Sequence, residues 1–301
     1  MLVQNYERLR STVRHRRPTV DHRIADRWSP QNALSVSSIK KAKYVLDAAF
    51  KWALSTEKMT INPIEGVRTI LNNKLDALEN KNADDVDVKV LTIQEELCFL
   101  ITAKEKKPYG QYKYPGGIHG RFLLKTGIRI GEYIALRWKD YDRENHILRV
   151  NKSRHPVKAL EHEDVETSYI SLEGSTKNKK ARNIELSDDA ISILDEIYSL
   201  TPWKGPDDYI ALTKTGNNYT ATEIEHIVGT VYKNAGISDN VSGLHILRRS
   251  FATKLYQEGY TIKDIAAYLG DEEATVAKYY IAAREVREVD GKRIAVVSLK
   301  K

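Results

Sequence analysis

The chain of 301 residues carries 48 Lys and Arg against 41 Asp and Glu, a net charge of +7 that indicates a polyanionic partner. Its hydrophobic fraction of 41% permits one large domain or two ordinary ones. No apolar run approaches the roughly 20 residues of a membrane span, and the N-terminal stretch MLVQNYERLRSTVRHRRP lacks a secretory signal. We therefore expect a cytoplasmic protein without a membrane partner, and the single cysteine, Cys98, fits a reducing compartment. A basic but otherwise ordinary soluble protein would show the same charge balance.

The N-terminal region is predicted to be helical. Residues 37–54, SSIKKAKYVLDAAFKWAL, place their apolar side chains on one stripe at helical spacing. Pro63 then ends this helix, because the residue before a proline disfavours helical conformation. Lysines that fall largely outside the stripe are candidates for contacts to a polyanion, although a solvated helix face would look the same. They are Lys40, Lys41, Lys43 and Lys51.

A polar, charged stretch at residues 79–89 predicts a linker. We expect a small helical domain at residues 1–78 and a larger domain at residues 90–301. The first helix of the larger domain begins in LTIQEELCFL, where Thr92 and Glu95 form a potential capping box.

The larger domain is predicted to be mainly α with one small antiparallel β-sheet, in the α+β class. Residues 121–138, RFLLKTGIRIGEYIALRW, predict a helix, a glycine-marked break and a second helix. Alternating patterns predict strands within HILRVNKSR, TSYISLEG and ARNIELS. Helical patterns return in DDAISILDEIYSL, TATEIEHIVGTVYKNAG and LHILRRSFATKLYQEG. A last one, TIKDIAAYLG, has a capping box of Thr261 and Asp264.

Four short stretches carry residues suited to chemistry. In TGIRIGE, Arg129 follows a glycine and Glu132 lies three residues further on. Lys177 lies in STKNKK, a turn between two predicted strands. In LHILRRSF, His245 and Arg248 are three residues apart and share one helical face.

The fourth stretch is LGDEEATVAKYYI, residues 269–281, which contains two adjacent tyrosines, Tyr279 and Tyr280. Taken alone, Tyr280 would be a core residue, since it shares a helical face with Val276. The question is whether one of the two tyrosines is a nucleophile.

Together, the four stretches resemble the tyrosine recombinase (phage integrase) family over essentially residues 91–283. NPIEGV is similar to the end of that family's core-binding domain, so the resemblance extends loosely to the N-terminal region. It implies a core-binding domain followed by a tyrosine recombinase catalytic domain with a C-terminal tail from about residue 284. The implied site residues are Arg129 and Arg248 as catalytic arginines, Glu132 as their acidic support, Lys177 as the β-hairpin lysine, and His245 of the H-x-x-R motif.

The resemblance also selects the nucleophile. The family's Leu-Gly-His triplet is followed nine residues later by the attacking tyrosine, and the triplet here is Leu269-Gly270-Asp271, which selects Tyr280. Asp271 departs from the usual histidine or tryptophan, because an ionised carboxylate only accepts hydrogen bonds and repels phosphate. It is protonated, acts through another side chain, or leaves the site without that donor. It is also well placed to cap the following helix.

The family's chemistry explains why these residue types are needed. A tyrosine attacks the phosphorus, a 3′-phosphotyrosine forms and a 5′-hydroxyl leaves, so that no ATP is required. Two arginines stabilise the charge that develops on the phosphate oxygens, His245 assists proton movement or donates to the phosphate, and a lysine protonates the leaving oxygen. No metal or other cofactor is expected, since the sequence has no H-x-H pair, H-E-x-x-H motif or cysteine cluster.

Each assignment has an alternative. Lys179 remains possible in place of Lys177, which we select because it lies five residues before Arg182, as in the family. Arg249 would replace Arg248 if the register shifted by one residue. His245 taken alone could be a structural core histidine, and Arg129 a surface arginine.

The resemblance implies a site-specific recombinase (integrase) of a mobile genetic element that acts on double-stranded DNA with specific recombination sites. A tetrameric synapse, a Holliday-junction intermediate and exchange of the tail between protomers are implied with it, and Ile294 to Leu299 form a strand-like run suited to such docking. The four N-terminal lysines would contact the DNA backbone. No arm-type N-terminal domain is evident.

Two other functions remain as alternatives to a recombinase: a type IB topoisomerase-like relaxing enzyme and a DNA-binding protein with impaired catalysis. A metal-dependent relaxase would require a histidine cluster, which the sequence lacks.

Overall fold

The computed structural model describes residues 36–83, 89–158, 169–175, 181–237, 241–277, 286–289 and 292–295. The chain divides into two compact units, residues 1–86 and 87–301. No helix within the described ranges has the length and apolar character that crossing a membrane requires.

The first unit contains two helices, α1 (Val36–Ser55) and α2 (Glu65–Ala83). The chain turns between them at Asn62, whose side-chain oxygen accepts a hydrogen bond of 3.1 Å from the backbone N–H of Ile64. Asp47 of α1 links the helices, since it binds Lys43 at 3.0 Å and Arg68 of α2 at 3.3 Å. Helix α2 continues through the first part of the predicted linker.

The second unit has seven labelled helices among its described residues. They are α3 (Ile93–Ala103), α4 (Gly117–Thr126), α5 (Ile130–Tyr133), α6 (Asp188–Leu200), α7 (Ala221–Asn234), α8 (His245–Gln257) and α9 (Ile262–Leu269). A 3₁₀ turn, Trp138–Asp140, follows α5. The predicted capping boxes of α3 and α9 are present, and Thr220 and Glu223 form another at α7.

Helix α4 is the centre of this unit, because every residue of it except Lys125 is buried. Helices α3, α6, α7 and α8 pack around it. Gly120 permits the close approach, since a Cβ atom there would lie 2.7 Å from Val228 Cγ2 and 3.1 Å from Phe99 Cζ.

The strands form three small antiparallel sheets among the described residues, where the sequence predicts one. The first has the order β1–β2–β5, from Tyr141–Asp142, Ile147–Val150 and Arg182–Glu185. Strands β3 (Lys152–Lys158) and β4 (Tyr169–Ser175) pair as a second sheet. Strands β6 (Val286–Val289) and β7 (Lys292–Ala295) pair as a third. The mainly helical α+β class is confirmed.

Two glycines in left-handed conformation end the helices α4 and α9 next to the candidate site. Gly127 ends α4 with φ of 62°, at the predicted break, and its N–H donates to Leu123 O at 2.8 Å. Gly270 ends α9 with φ of 67°. Next to these helices, Ala252, Ile265, Ala266, Leu269 and Val276 form a second buried cluster, which packs α9 against α8.

Candidate active site

Arg129 and Arg248, the arginine pair, approach each other beside the turn at residues 269–271. Nη2 of Arg129 donates to the carbonyl oxygen of Gly270 at 3.1 Å, and Nη2 of Arg248 donates to that of Leu269 at 2.9 Å. Nη1 of Arg248 donates to the carbonyl oxygen of Gly127 at 2.7 Å. Backbone carbonyls at the two left-handed turns therefore orient both guanidinium groups.

Asp271 bridges the arginine pair. Its Oδ1 accepts a hydrogen bond from Nη2 of Arg129, and its Oδ2 accepts one of 2.5 Å from Nη2 of Arg248. Burial raises the pKa of Asp271, but the charges of Arg248 and Arg129 outweigh it and hold the pKa below the ordinary value. The carboxylate is therefore ionised at neutral pH, which argues against a protonated Asp271.

Asp271 does not serve as the cap of the following helix. Residues 273–277 are helical, and the backbone N–H groups of Thr275 and Val276 donate to the carbonyl oxygen of Glu272. The helix therefore begins after Glu272 and not after Asp271. Both side-chain oxygens of Asp271 are instead engaged with the arginine pair.

Glu132 is buried next to Arg129, and only 1% of it is exposed to solvent. Its carboxylate accepts from Nη1 and the backbone N–H of Arg129, each at 3.1 Å, and from Nη1 and Nη2 of Arg182 at 3.0 and 2.7 Å. Burial raises the pKa of Glu132, but the hydrogen bonds and charges of Arg182 and Arg129 outweigh it and lower the pKa. Glu132 is therefore a buried anion that orients Arg129.

Arg182 is the site residue that the sequence analysis used only as a spacing marker. It begins β5, binds Glu132 through both Nη atoms, and donates from Nε to the carbonyl oxygen of Tyr268 at 2.8 Å. It thus connects β5, α5 and the end of α9. Its fixed spacing from Lys177 was the one sequence signal for a role.

His245 is the first residue of α8 and lines a cleft together with Arg129, Arg248 and Glu225 of α7. Desolvation and the positive charges of Arg249, Arg248 and Arg129 lower the pKa of His245, while Glu225 raises it. The imidazole is therefore mainly neutral at pH 7, so that it can accept a proton.

Four predicted or alternative site residues lie outside the described ranges: Lys177, Lys179, Tyr279 and Tyr280. The structure does describe the strands on either side of Lys177. Strand β4 pairs with β3, whereas β5 pairs with β2, so residues 176–180 connect two different sheets. Among the described strands, β4 and β5 therefore do not pair with each other, and the assignment of Lys177 as the β-hairpin lysine stays a prediction.

The four predicted DNA-binding lysines lie on α1 but have different surroundings. Lys43 is bound by Asp47 at 3.0 Å, and Lys40 lies 3.6 Å from Asp76 of α2. Lys41 and Lys51 are exposed. The first two lysines therefore take part in ion pairs within the first unit, which lowers the charge that they present to a partner.

Comparison with known proteins relates this chain to one family. The family model described as "Phage integrase family" matches residues 94–287. The tyrosine recombinase XerC-like protein of Caldanaerobacter subterraneus subsp. tengcongensis is 23% identical over 263 residues, which are 82% of this chain and 62% of that protein. Tyrosine recombinase XerH of Campylobacter jejuni is 23% identical over 62% of this chain and 46% of its own length. The chain thus spans less than two thirds of these curated relatives.

Solved structures show the same fold. The Tn1549 transposon integrase in complex with a circular intermediate DNA is 24% identical, with a TM-score of 0.60 over 83% of this chain and 76% of that one. A lambda integrase dimer bound to a core site is 18% identical, with a TM-score of 0.51 over 85% of this chain and 63% of that one.

Proposed function

The chain belongs to the phage integrase family, and we propose that it cleaves and rejoins double-stranded DNA at specific recombination sites. The single observation that carries the proposal is the convergence of Arg129 and Arg248 on one turn, with His245 in the same cleft. Two guanidinium groups at one point suit a phosphodiester whose non-bridging oxygens gain charge during reaction.

In the proposed reaction, the phenolic oxygen of Tyr280 attacks the scissile phosphorus. A 3′-phosphotyrosine bond forms, the bond to the 5′-oxygen breaks, and Lys177 protonates that oxygen as it leaves. Lys179 is the alternative acid. The 5′-hydroxyl of a partner strand then attacks the phosphotyrosine and releases Tyr280, so the phosphodiester energy is retained and neither ATP nor a metal takes part.

His245 and Glu132 support this reaction in different ways. A neutral His245 can accept the proton of the attacking phenol or hydrogen-bond a phosphate oxygen. Glu132 touches no substrate in this proposal; it orients Arg129 from below.

We also infer the wider assembly from the relatives. Solved relatives include a transposon integrase with circular intermediate DNA and a lambda integrase dimer on its core site. The proposed partners of this chain are accordingly duplex DNA and further copies of itself, four in a synapse with a Holliday-junction intermediate. The proposed DNA-contacting lysines on α1 would position the duplex without reading its sequence.

The proposal is tested with a nicked suicide substrate that carries the cognate site and traps the covalent complex. Wild-type protein should give a protein–DNA adduct on a denaturing gel, with the nucleotide on Tyr280 by mass spectrometry. Tyr280→Phe keeps the ring and should bind DNA but give no adduct. Tyr279→Phe is the matched control and should keep the adduct, because the spacing from Leu269-Gly270-Asp271 selects Tyr280.

One observation favours a second candidate, a DNA-binding protein with impaired catalysis. Asp271 engages both members of the arginine pair, and an ionised carboxylate there repels phosphate. The same gel separates the two functions: specific DNA binding by wild-type protein with no adduct on any suicide substrate would favour the second.

A further inference from the structure

The Nη2 donors of the arginine pair are already committed. A guanidinium group has two edges that can hold phosphate by paired hydrogen bonds, and both edges include Nη2. In Arg129, the two Nη2 hydrogens serve Gly270 O and Asp271; in Arg248, they serve Leu269 O and Asp271. With Asp271 in place, neither arginine can offer a paired edge to a phosphate.

We propose that the Asp271 carboxylate occupies the phosphate-binding edge of the arginine pair and that the scissile phosphate of DNA must displace it. The inference rests on the proposed function, since it takes Arg129 and Arg248 to be the groups that hold the phosphate. Asp271 is then a resident competitor of the substrate and holds the two arginines together before DNA arrives.

The exchange is balanced in charge and in hydrogen bonds. A phosphodiester carries one negative charge, as the carboxylate does, and both present two oxygens to the guanidinium groups. When Asp271 leaves, one hydrogen on each Nη2 atom becomes available. The carbonyl oxygens of Leu269 and Gly270 remain as acceptors, so the arginines keep their orientation.

The carboxylate is also placed to leave. Its side chain is 15% exposed, so solvent and a phosphate can reach it. Each of its oxygens is held by one arginine, and it follows the left-handed Gly270 at the end of α9. An incoming anion therefore competes with it for the same two arginines.

The first test needs no catalysis. Inorganic phosphate is titrated into the full chain without DNA, at constant ionic strength, and the melting temperature is followed. Wild-type protein should respond weakly, because its donors are occupied. Asp271→Asn keeps the shape and loses the charge, and its apparent affinity for phosphate should rise at least about tenfold, the value of one charge-assisted hydrogen bond.

Asp195→Asn is the matched control. It removes the same charge from an exposed ion pair with Arg143, which lies outside the site. A gain in phosphate response for Asp271→Asn but not for Asp195→Asn supports the inference. Equal responses in all three proteins, or a strong response in the wild type, overturn it.

A second variant and a second readout protect the test. Asp271→Ser is measured if Asp271→Asn loses its circular dichroism spectrum. Loss of the fold in both variants would show that the carboxylate is required for folding, and the proposal that phosphate displaces it would be wrong.

In single-turnover cleavage, Asp271→Asn should form the Tyr280 adduct faster than wild type. Absence of an adduct in every protein would refute the proposed function, whereas a wild-type adduct without the phosphate gain refutes only this inference.

Discussion

At the scale of single residues, Arg182 is coupled to Arg129 through Glu132. It supplies two of the four hydrogen bonds that the Glu132 carboxylate accepts, and it also holds the end of α9 through Tyr268 O. Arg182 is therefore a positioning residue: it acts on Arg129 through a shared buried anion.

Arg182→Gln should lower the free energy of unfolding by roughly 3 kcal/mol, near the lower end for breaking a buried pair, because Arg129 still compensates Glu132. DNA affinity should change little, while adduct formation falls. Arg182→Lys keeps the charge without the paired geometry and should recover part of the rate. Urea unfolding, a binding assay and the suicide substrate measure the three effects.

A double variant provides the control for this prediction. Glu132→Gln with Arg182→Gln removes both charges and should be less destabilised than the sum of the single variants, since no unpaired buried charge remains. Strict additivity would contradict the coupling.

Buried His119 should make the stability of the protein depend on pH. It is buried in α4, and its Nδ1 lies 2.5 Å from Tyr133 Oη. Burial lowers the pKa of His119 to about 3, whereas the unfolded chain keeps the ordinary value of 6.5. Between these values the unfolded state binds the extra proton, so stability falls as the pH falls from 6.5 towards 3.

From pH 7 to pH 5, this linkage should lower the free energy of unfolding by about 2 kcal/mol. Urea unfolding at the two pH values measures the loss. The Gln side chain does not titrate, so the free energy of unfolding of the His119→Gln variant should fall by about 2 kcal/mol less between the two pH values. The same loss in both proteins would show that other groups cause it.

At the scale of elements, several helix ends of the second unit could be predicted, whereas α1 ends at Ser55, well before Pro63. The capping boxes at Thr92 and Thr261 and the break after α4 follow from local side chain–backbone chemistry, which a sequence contains. Strand pairing could not be predicted in the same way, because the partners of β4 and β5 lie in different sheets and are set by contacts distant in sequence.

Gly270, in the turn after α9, lies against Arg182 and leaves no room for a side chain. A Cβ atom at Gly270 would lie 2.8 Å from Nη1 of Arg182, and the residue has φ of 67°. Gly236 has nearly the same φ, 69°, with nothing within 4 Å. Alanine should cost roughly 1–2 kcal/mol of backbone strain at either position.

Gly270→Ala should additionally displace Arg182 and reduce adduct formation, whereas Gly236→Ala should keep the wild-type rate. Thermal unfolding and single-turnover cleavage of the two variants, measured side by side, separate strain from displacement. Equal cleavage rates at equal stability would mean that the site tolerates movement of Arg182.

At the scale of the whole molecule, motif spacing singled out Arg129, Glu132, His245 and Arg248, and the structure brings them to one region of the second unit. Spacing could not reveal Arg182 as the partner of Glu132 or Asp271 as the bridge between the arginines, because both contacts join separate segments. Helix α2 extends over residues 79–83 of the predicted linker, where Glu79, Lys81 and Ala83 favour helix although Asn80 and Asn82 do not.

In the C-terminal tail, part of the predicted strand-like run pairs within its own chain. Strand β7 (Lys292–Ala295) pairs with β6 (Val286–Val289) in a sheet of two strands, and neither pairs with another described strand. A two-stranded hairpin is marginally stable alone, so it needs a further surface to rest on. We propose that a neighbouring protomer supplies that surface in the synapse.

Deletion of residues 286–301 removes the whole hairpin and should abolish the synaptic complex in sedimentation and on native gels. DNA binding by the single protomer and the Tyr280 adduct should persist, since the arginine pair and its supports lie outside the deleted segment. Deletion of residues 296–301 leaves both strands and is the matched control; it should retain synapsis if the hairpin itself is the docking element. Normal synapsis after the longer deletion would show that the tail has no part in assembly, and loss of synapsis in the shorter one would move the docking role to the last six residues.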